Sequence, residues 1–302
     1  MISADSLPAV RPLSSFKAGR IGAWLVLGLM LLLSVLPLGV MLHTAFQHPS
    51  ALMDGAAQGW QPTLLNLQRV VGLLSEDESR ALGGSGAQTD FGAALLRSLL
   101  FTALVAGMQT ASCAMAAYAF ARLRFPGQRL MFLAVLASMM LPGVVLFIPN
   151  FIFVRDIGWL NSMAGMVAPF ALMSGFSIFF LRQFFLALPR DLEEAARLDG
   201  ASPWQTFYRI ALPLNAGPVA TAALLSGIQA WNEFFWPYIV APGEDSQLLP
   251  VALQAFQSQT PQGQPDWSGL MAASLLALLP TLLLLVLAGR KVVESVQYSG
   301  GK

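Results

Sequence analysis

Six long stretches of this chain are almost free of charge, and nothing else in it constrains the fold so strongly. They cover residues 21–42, 98–120, 130–152, 162–181, about 211–240 and 270–289, and Glu233 is the single charged residue among them. A hydrocarbon core of roughly 30 Å is crossed by about 20 apolar residues in a helix. Unpaired backbone groups are costly in lipid, which leaves helices and closed barrels as spanning structures. Stretches this long and this evenly apolar exclude strands. The expectation is an all-α polytopic membrane protein with six transmembrane helices.

Composition agrees, since 56% of the 302 residues are hydrophobic and 11% are charged, against about 25% charged in a soluble domain. A net charge of +1 offers no general attraction for nucleic acid. One cysteine, Cys113, excludes an intramolecular disulfide and a thiolate metal cluster. The first stretch follows Arg11, Lys17 and Arg20 as in a secretory signal, but its apolar run exceeds the usual 7 to 15 residues of such a signal. It reads as an uncleaved first helix.

Orientation follows from basic residues flanking the spans. With a cytoplasmic N-terminus, 13 Lys and Arg lie inside and only Arg69, Arg80, Arg97 and Arg155 lie outside. Both termini are therefore expected in the cytoplasm. The division is a cytoplasmic tail at 1–20, a first span at 21–42, an extracytoplasmic loop at 43–90, a core at 91–291 and a cytoplasmic tail at 292–302. Within the outer loop, Gly83 to Gly86 reads as flexible. A second outer segment, 246–266, is rich in Gln and Pro.

The cytoplasmic segment 189–209 is longer than its counterparts and contains two helix starts. Pro189 suits a first helical turn, and Asp191, Glu193 and Glu194 place acid at the positive end of the helix dipole. Gly200 then stops the helix. Ser202, Pro203 and Gln205 form a second start with the spacing of a capping box. Periodicity alone describes a solvated connection between two spans.

The wording of this segment resembles the E-A-A loop of binding-protein-dependent ABC importer permeases. Glu194-Ala195-Ala196 is followed by Gly200 and then by Ile210-Ala211-Leu212-Pro213, and residues 193–202 read EEAARLDGAS. Residues 116–127 (AAYAFARLRFPG) and 231–237 (WNEFFWP) are similar to the carbohydrate branch, whose members resemble the smaller permease subunit of the maltose-transporter family. The resemblance runs from about residue 98 to the C-terminus. It implies a cytoplasmic two-helix coupling loop whose Glu193, Glu194, Ala195, Ala196, Asp199 and Gly200 dock an ATP-binding cassette subunit. It further implies a dimer of such subunits, which use ATP and Mg, a second homologous permease, and an extracytoplasmic sugar-binding protein facing residues 254–266. The setting it implies is a bacterial or archaeal cytoplasmic membrane, with contact to lipid.

No G-x-x-x-x-G-K-[ST] is present, so no nucleotide or other cofactor is expected on this chain. Catalytic and metal sites are likewise not expected, because there is no H-E-x-x-H or G-x-S-x-G and His43 and His48 stand apart from carboxylates. Polar side chains at membrane depth face a cavity or another helix. Ser226, Gln229, Asn232 and Glu233 share a helical face, and with Asn150 they are candidates for a solute pathway. Trp231 and Trp236 either offer faces to sugar rings or pack near the outer interface. Gln109 reads as a packing contact, and Arg97 as a side chain reaching the interface. Pro142 and Pro149 are expected to kink the third span. A secondary transporter or channel for a small polar solute is the alternative, but Glu233 alone makes a poor ion relay.

Overall fold

The computed structural model describes residues 16–49, 60, 62–87, 89–257 and 264–297, the side chains of the first four and of most from 284 onward excepted. The expectations attached to Arg11, Lys302 and most of the two tails lie outside these residues, as does the central part of the 254–266 segment. Within the described residues the chain is helical and forms no strand, its extended pairing limited to one bridge between Gln47 and Pro62.

Helix α1 (Phe16–Phe46) and helix α4 (Phe91–Arg122) are each long and apolar enough to cross a membrane. The apolar length of α1 is exposed within this chain, and the helix packs mainly on α15 (Trp267–Gln297). The 32 residues of α4 carry the tertiary structure. Three apolar clusters are strung along it. The first gathers Phe91 and Ala94 with Ala45, Val70, Trp231, Phe256 and Ala272. The second joins Phe101 and Val105 to Val154, Met166, Trp236 and Val240. The third packs Cys113, Ala117 and Tyr118 against Ile178, Leu181, Phe185, Phe207 and Ala222. Alanines recur because small side chains let membrane helices approach closely.

The three stretches between α4 and α15 are not single straight helices. Residues 130–152, read as one kinked span, form α5 (Gln128–Ser138) and α6 (Gly143–Asp156), which meet at 99°. Pro142 has no N–H to continue α5 and keeps Leu141 out of helical geometry, so the kink becomes a corner. Residues 162–181 divide into α7 (Met163–Val167) and α8 (Gly175–Ala187), each opened by a serine side chain that accepts a backbone N–H. Pro169 stands in the gap. Residues 211–240 hold α12 (Ala216–Trp231) and α13 (Phe235–Val240), and α12 bends 81° from the helical turns before it.

Residues 62–87, in the segment expected as an outer loop, are more ordered than their composition suggested. They contain α2 (Leu65–Val71) and α3 (Glu76–Ala81). Arg69 and Asp266, both almost wholly buried, form an ion pair between α2 and the start of α15. Arg69 Nε also donates to Ser79 Oγ at 2.8 Å and Nη1 donates to Asn66 Oδ1 at 3.0 Å. Asp266 accepts from the Ser85 amide and hydroxyl, each at 2.9 Å, and from the Gly269 amide at 2.9 Å. The glycine-serine stretch is therefore pinned by a carboxylate 181 positions away, a partner that no local pattern announces.

Candidate functional site

The segment 189–209 folds as its capping residues dictate. Pro189 precedes α9 (Arg190–Leu198), and Asp191 and Glu193 occupy its first turn. At the other end the Gly200 amide donates to the Arg197 carbonyl at 3.0 Å and the Ala201 amide to the Ala196 carbonyl at 2.9 Å. Gly200 has φ +83°, the left-handed conformation that closes such a C-terminus. A short α10 (Pro203–Thr206) follows with its capping box complete: the Ser202 amide donates to Gln205 Oε1 at 2.8 Å and the Gln205 amide to Ser202 Oγ at 3.3 Å. It does not end there. The chain runs on through a π-helical turn at Phe207–Ala211 into α11 (Leu212–Leu214) and then α12.

Helical periodicity splits the six residues of the expected docking surface into two sets. Glu194, Ala195, Asp199 and Gly200 are exposed, as are Leu192 and Leu198, the latter to 89%. Glu193 and Ala196 are buried, each 7% exposed. The Glu193 side chain turns inward, its carboxylate 3.3 Å from Arg122 Nε at the end of α4. That N–H is directed at the Phe185 carbonyl at 2.9 Å, so the pair is held by charge rather than by a well-aligned hydrogen bond. Arg122 also donates to the Leu188 carbonyl. One guanidinium therefore meets the negative C-terminus of α8 and an acid in the first turn of α9, two favourable placements in the fields of the helix ends.

Beside this contact lies an open cleft of about 570 Å³, bounded by α9 and the α4–α5 corner. Its walls include Arg122, Arg124, Arg182, Arg190 and Arg197 against Glu193 and Glu194, giving it a net positive charge. Arg182 lies 4.3 Å from the centre of the Phe132 ring and donates to the Phe120 carbonyl at 3.2 Å.

The polar residues of the apolar stretches converge only in part. Gln229 and Glu233 line a pocket of about 290 Å³ together with Gln109 and Ser226. Gln109, read as a packing contact, does pack: its amide donates to the Phe170 carbonyl at 2.8 Å and its carbonyl accepts from Ser226 Oγ at 2.6 Å. It also forms a wall of the pocket, a role sequence spacing missed because α4 and α12 meet only in the fold. Asn232 lies outside the pocket lining, its amide turned back to the Ile228 carbonyl at 2.8 Å. Asn150 stands on α6, half-buried and likewise apart from that lining. Glu233 accepts the Trp236 amide at 3.1 Å and so begins α13.

Trp231 and Trp236 are both buried, their indole N–H groups donating to the carbonyls of Ala277 and Gly165. Neither face is open to a sugar. At the start of α4, Arg97 donates to the Gln247 carbonyl at 3.3 Å, and it lines a cavity of about 450 Å³ with Asp90, Glu244 and Asp245. Its guanidinium is held by the 244–247 segment. Among the described residues no cluster of His, Cys, Asp and Glu has the geometry to hold a metal ion.

Comparison with known proteins places these features in a family. Residues 97–296 match the model for the binding-protein-dependent transport system inner membrane component. An arabinooligosaccharide transport system permease protein, AraQ of Halalkalibacterium halodurans, is 28% identical over 95% of this chain and 99% of its own length. The sn-glycerol-3-phosphate permease protein UgpE of Pectobacterium atrosepticum is 33% identical over 71% of this chain and 75% of its own. The trehalose/maltose permease protein MalG of Thermococcus litoralis is 29% identical over 89% and 91%. The fold is that of a chain in the crystal structure of a bacterial ABC transporter involved in import of the acidic polysaccharide alginate, with a TM-score of 0.77 over 92% of this chain and 97% of that one, at 20% identity.

Proposed function

Because this chain belongs to the inner membrane components of binding-protein-dependent transport systems, we propose that it is one permease half of an ABC importer for a carbohydrate. It is a non-catalytic subunit, as its relatives are. The names of those relatives cover oligosaccharides, disaccharides and a polyol phosphate, which supports a hydroxyl-rich solute as the cargo. In this reading the six apolar stretches are six spans, both termini are cytoplasmic, and the corners in the third, fourth and fifth belong to a solute route shared with a second permease.

The observation that carries the reading is the form of α9. Its exposed side presents Glu194, Ala195 and Leu198, ended by the left-handed Gly200, on the chain's most basic flank. Small residues admit close approach, and an exposed leucine beside a carboxylate suits an interface anchor. We assign this face to the ATP-binding subunit, with ATP and Mg handled wholly by that partner. Gln109, Ser226, Gln229 and Glu233 line the solute route, while the cavity around Arg97, Asp90 and Glu244 faces an extracytoplasmic sugar-binding protein.

Purification of the native complex tests the proposal. Mass spectrometry of the co-purifying chains should find an ATP-binding subunit and a second permease, and a sugar-loaded binding protein should raise ATP hydrolysis in that complex. Recovery of this chain without any ATPase overturns the assignment.

A further inference from the structure

Three helix ends meet at Arg122. It is the last residue of α4, it donates to the Phe185 and Leu188 carbonyls at the end of α8, and it faces Glu193 in the first turn of α9. The contact is reciprocal, since Arg182 of α8 donates to the Phe120 carbonyl at the end of α4 at 3.2 Å. The side chains of Arg122 and Glu193 are 5% and 9% exposed, so water does little to screen their attraction.

Other routes out of α9 are jointed. Its N-terminal side passes through Leu188 and Pro189 to α8. Its C-terminal side passes through the Gly200 turn, a π-helical turn and an 81° bend before reaching α12. By contrast α4 is one helix from Phe91 to Arg122, and the 13 residue steps from Gln109 to Arg122 span about 20 Å at 1.5 Å each. At the far end of that lever Gln109 receives the Ser226 hydroxyl of α12 at 2.6 Å, in the wall of the polar pocket.

We propose that Glu193 and Arg122 are positioning residues that couple the docking helix to the solute pocket through α4. The inference rests on the permease reading above and adds to it a division of labour along E-E-A-A. Glu194 faces the ATPase, whereas Glu193 faces inward and transmits its movement. Removing the Glu193 charge leaves the docking face intact but frees α9 to move without α4.

The test uses the assembled complex in nanodiscs, with a thiol introduced by Gln229→Cys on the pocket wall. Cys113 is fully buried, which leaves the new thiol as this chain's reporter. The readout is the change in its maleimide labelling rate when ATP, Mg and vanadate are added. Adding Glu193→Gln should shrink that change by about threefold or more, the low end of measured coupling effects, while the ATPase still co-purifies and traps vanadate. Arg122→Lys, which keeps the charge but loses the planar fork, should shrink it less, and it decides the matter if Glu193→Gln does not accumulate. An unchanged labelling response overturns the inference. So does loss of the ATPase from the Glu193→Gln complex, which would make Glu193 a docking residue after all. Absence of the ATPase from the parent Gln229→Cys complex instead sinks the permease reading itself.

Discussion

Gly200 adopts φ +83°, and no atom outside its own neighbours lies within 4 Å of where a Cβ would stand. The requirement is therefore conformational and not steric. Gly200→Ala should cost about 1 kcal/mol, seen as a small loss of ATPase retention, whereas Gly200→Pro should leave a membrane-inserted chain with no transport, as measured by uptake into proteoliposomes. Full uptake by the proline variant would count against any role for this turn. Asp266 presents a different residue-scale problem. Burial pushes its carboxyl up, but the Arg69 charge, the Ser85 and Gly269 amides and the Arg69 hydrogen bond outweigh burial and hold it below its ordinary value. A lowered carboxyl stabilises the fold fully above the ordinary carboxylate range and loses that contribution as pH falls below it. Asp266→Asn strands the buried Arg69 guanidinium, a loss of about 3 to 5 kcal/mol, and should lower the apparent melting temperature at pH 7. The gap from the parent protein should narrow in acid. Capping box, helix-ending glycine and first-turn acids were legible because each acts within four residues. Glu193's inward turn was not, since its partner, Arg122, lies 71 positions away.

Helix length was the least legible property of the elements. Apolar composition marks what enters a bilayer, but it does not say where a helix bends, because lipid solvates a corner badly only when its backbone is unpaired. Pro142 and Pro169 are visible in the sequence, yet whether a proline kinks or breaks a helix depends on what packs into the gap. Gly165 shows how tightly such a gap is filled: an added Cβ would overlap the Trp159 carbonyl oxygen and lie 2.9 Å from Val154 Cγ1. Gly165→Ala should therefore destabilise the α6–α7 corner by about 1 to 3 kcal/mol. Gly107→Ala on α4 meets nothing within 4 Å and should leave thermal stability in detergent unchanged. Equal melting temperatures for the two variants would refute this account of the corner.

At the scale of the molecule, basic residues predict a topology that reporter fusions can check. A phosphatase fused after Lys302 should be inactive and one placed between α1 and α2 active, whereas the reverse result would invert the orientation and move α9 away from any cytoplasmic ATPase. Membrane residence, helical class and the two capped helices of the 189–209 segment followed from the sequence alone. Hydrophobic transfer and backbone capping are local and additive, so short windows contain them. Only the tertiary structure decided that α4 is the spine, that Trp231 and Trp236 are buried, that Gln109 joins the polar pocket and that Glu193 turns inward to Arg122. Each depends on which surfaces meet across tens to nearly two hundred residues, and close packing between helices sets those meetings.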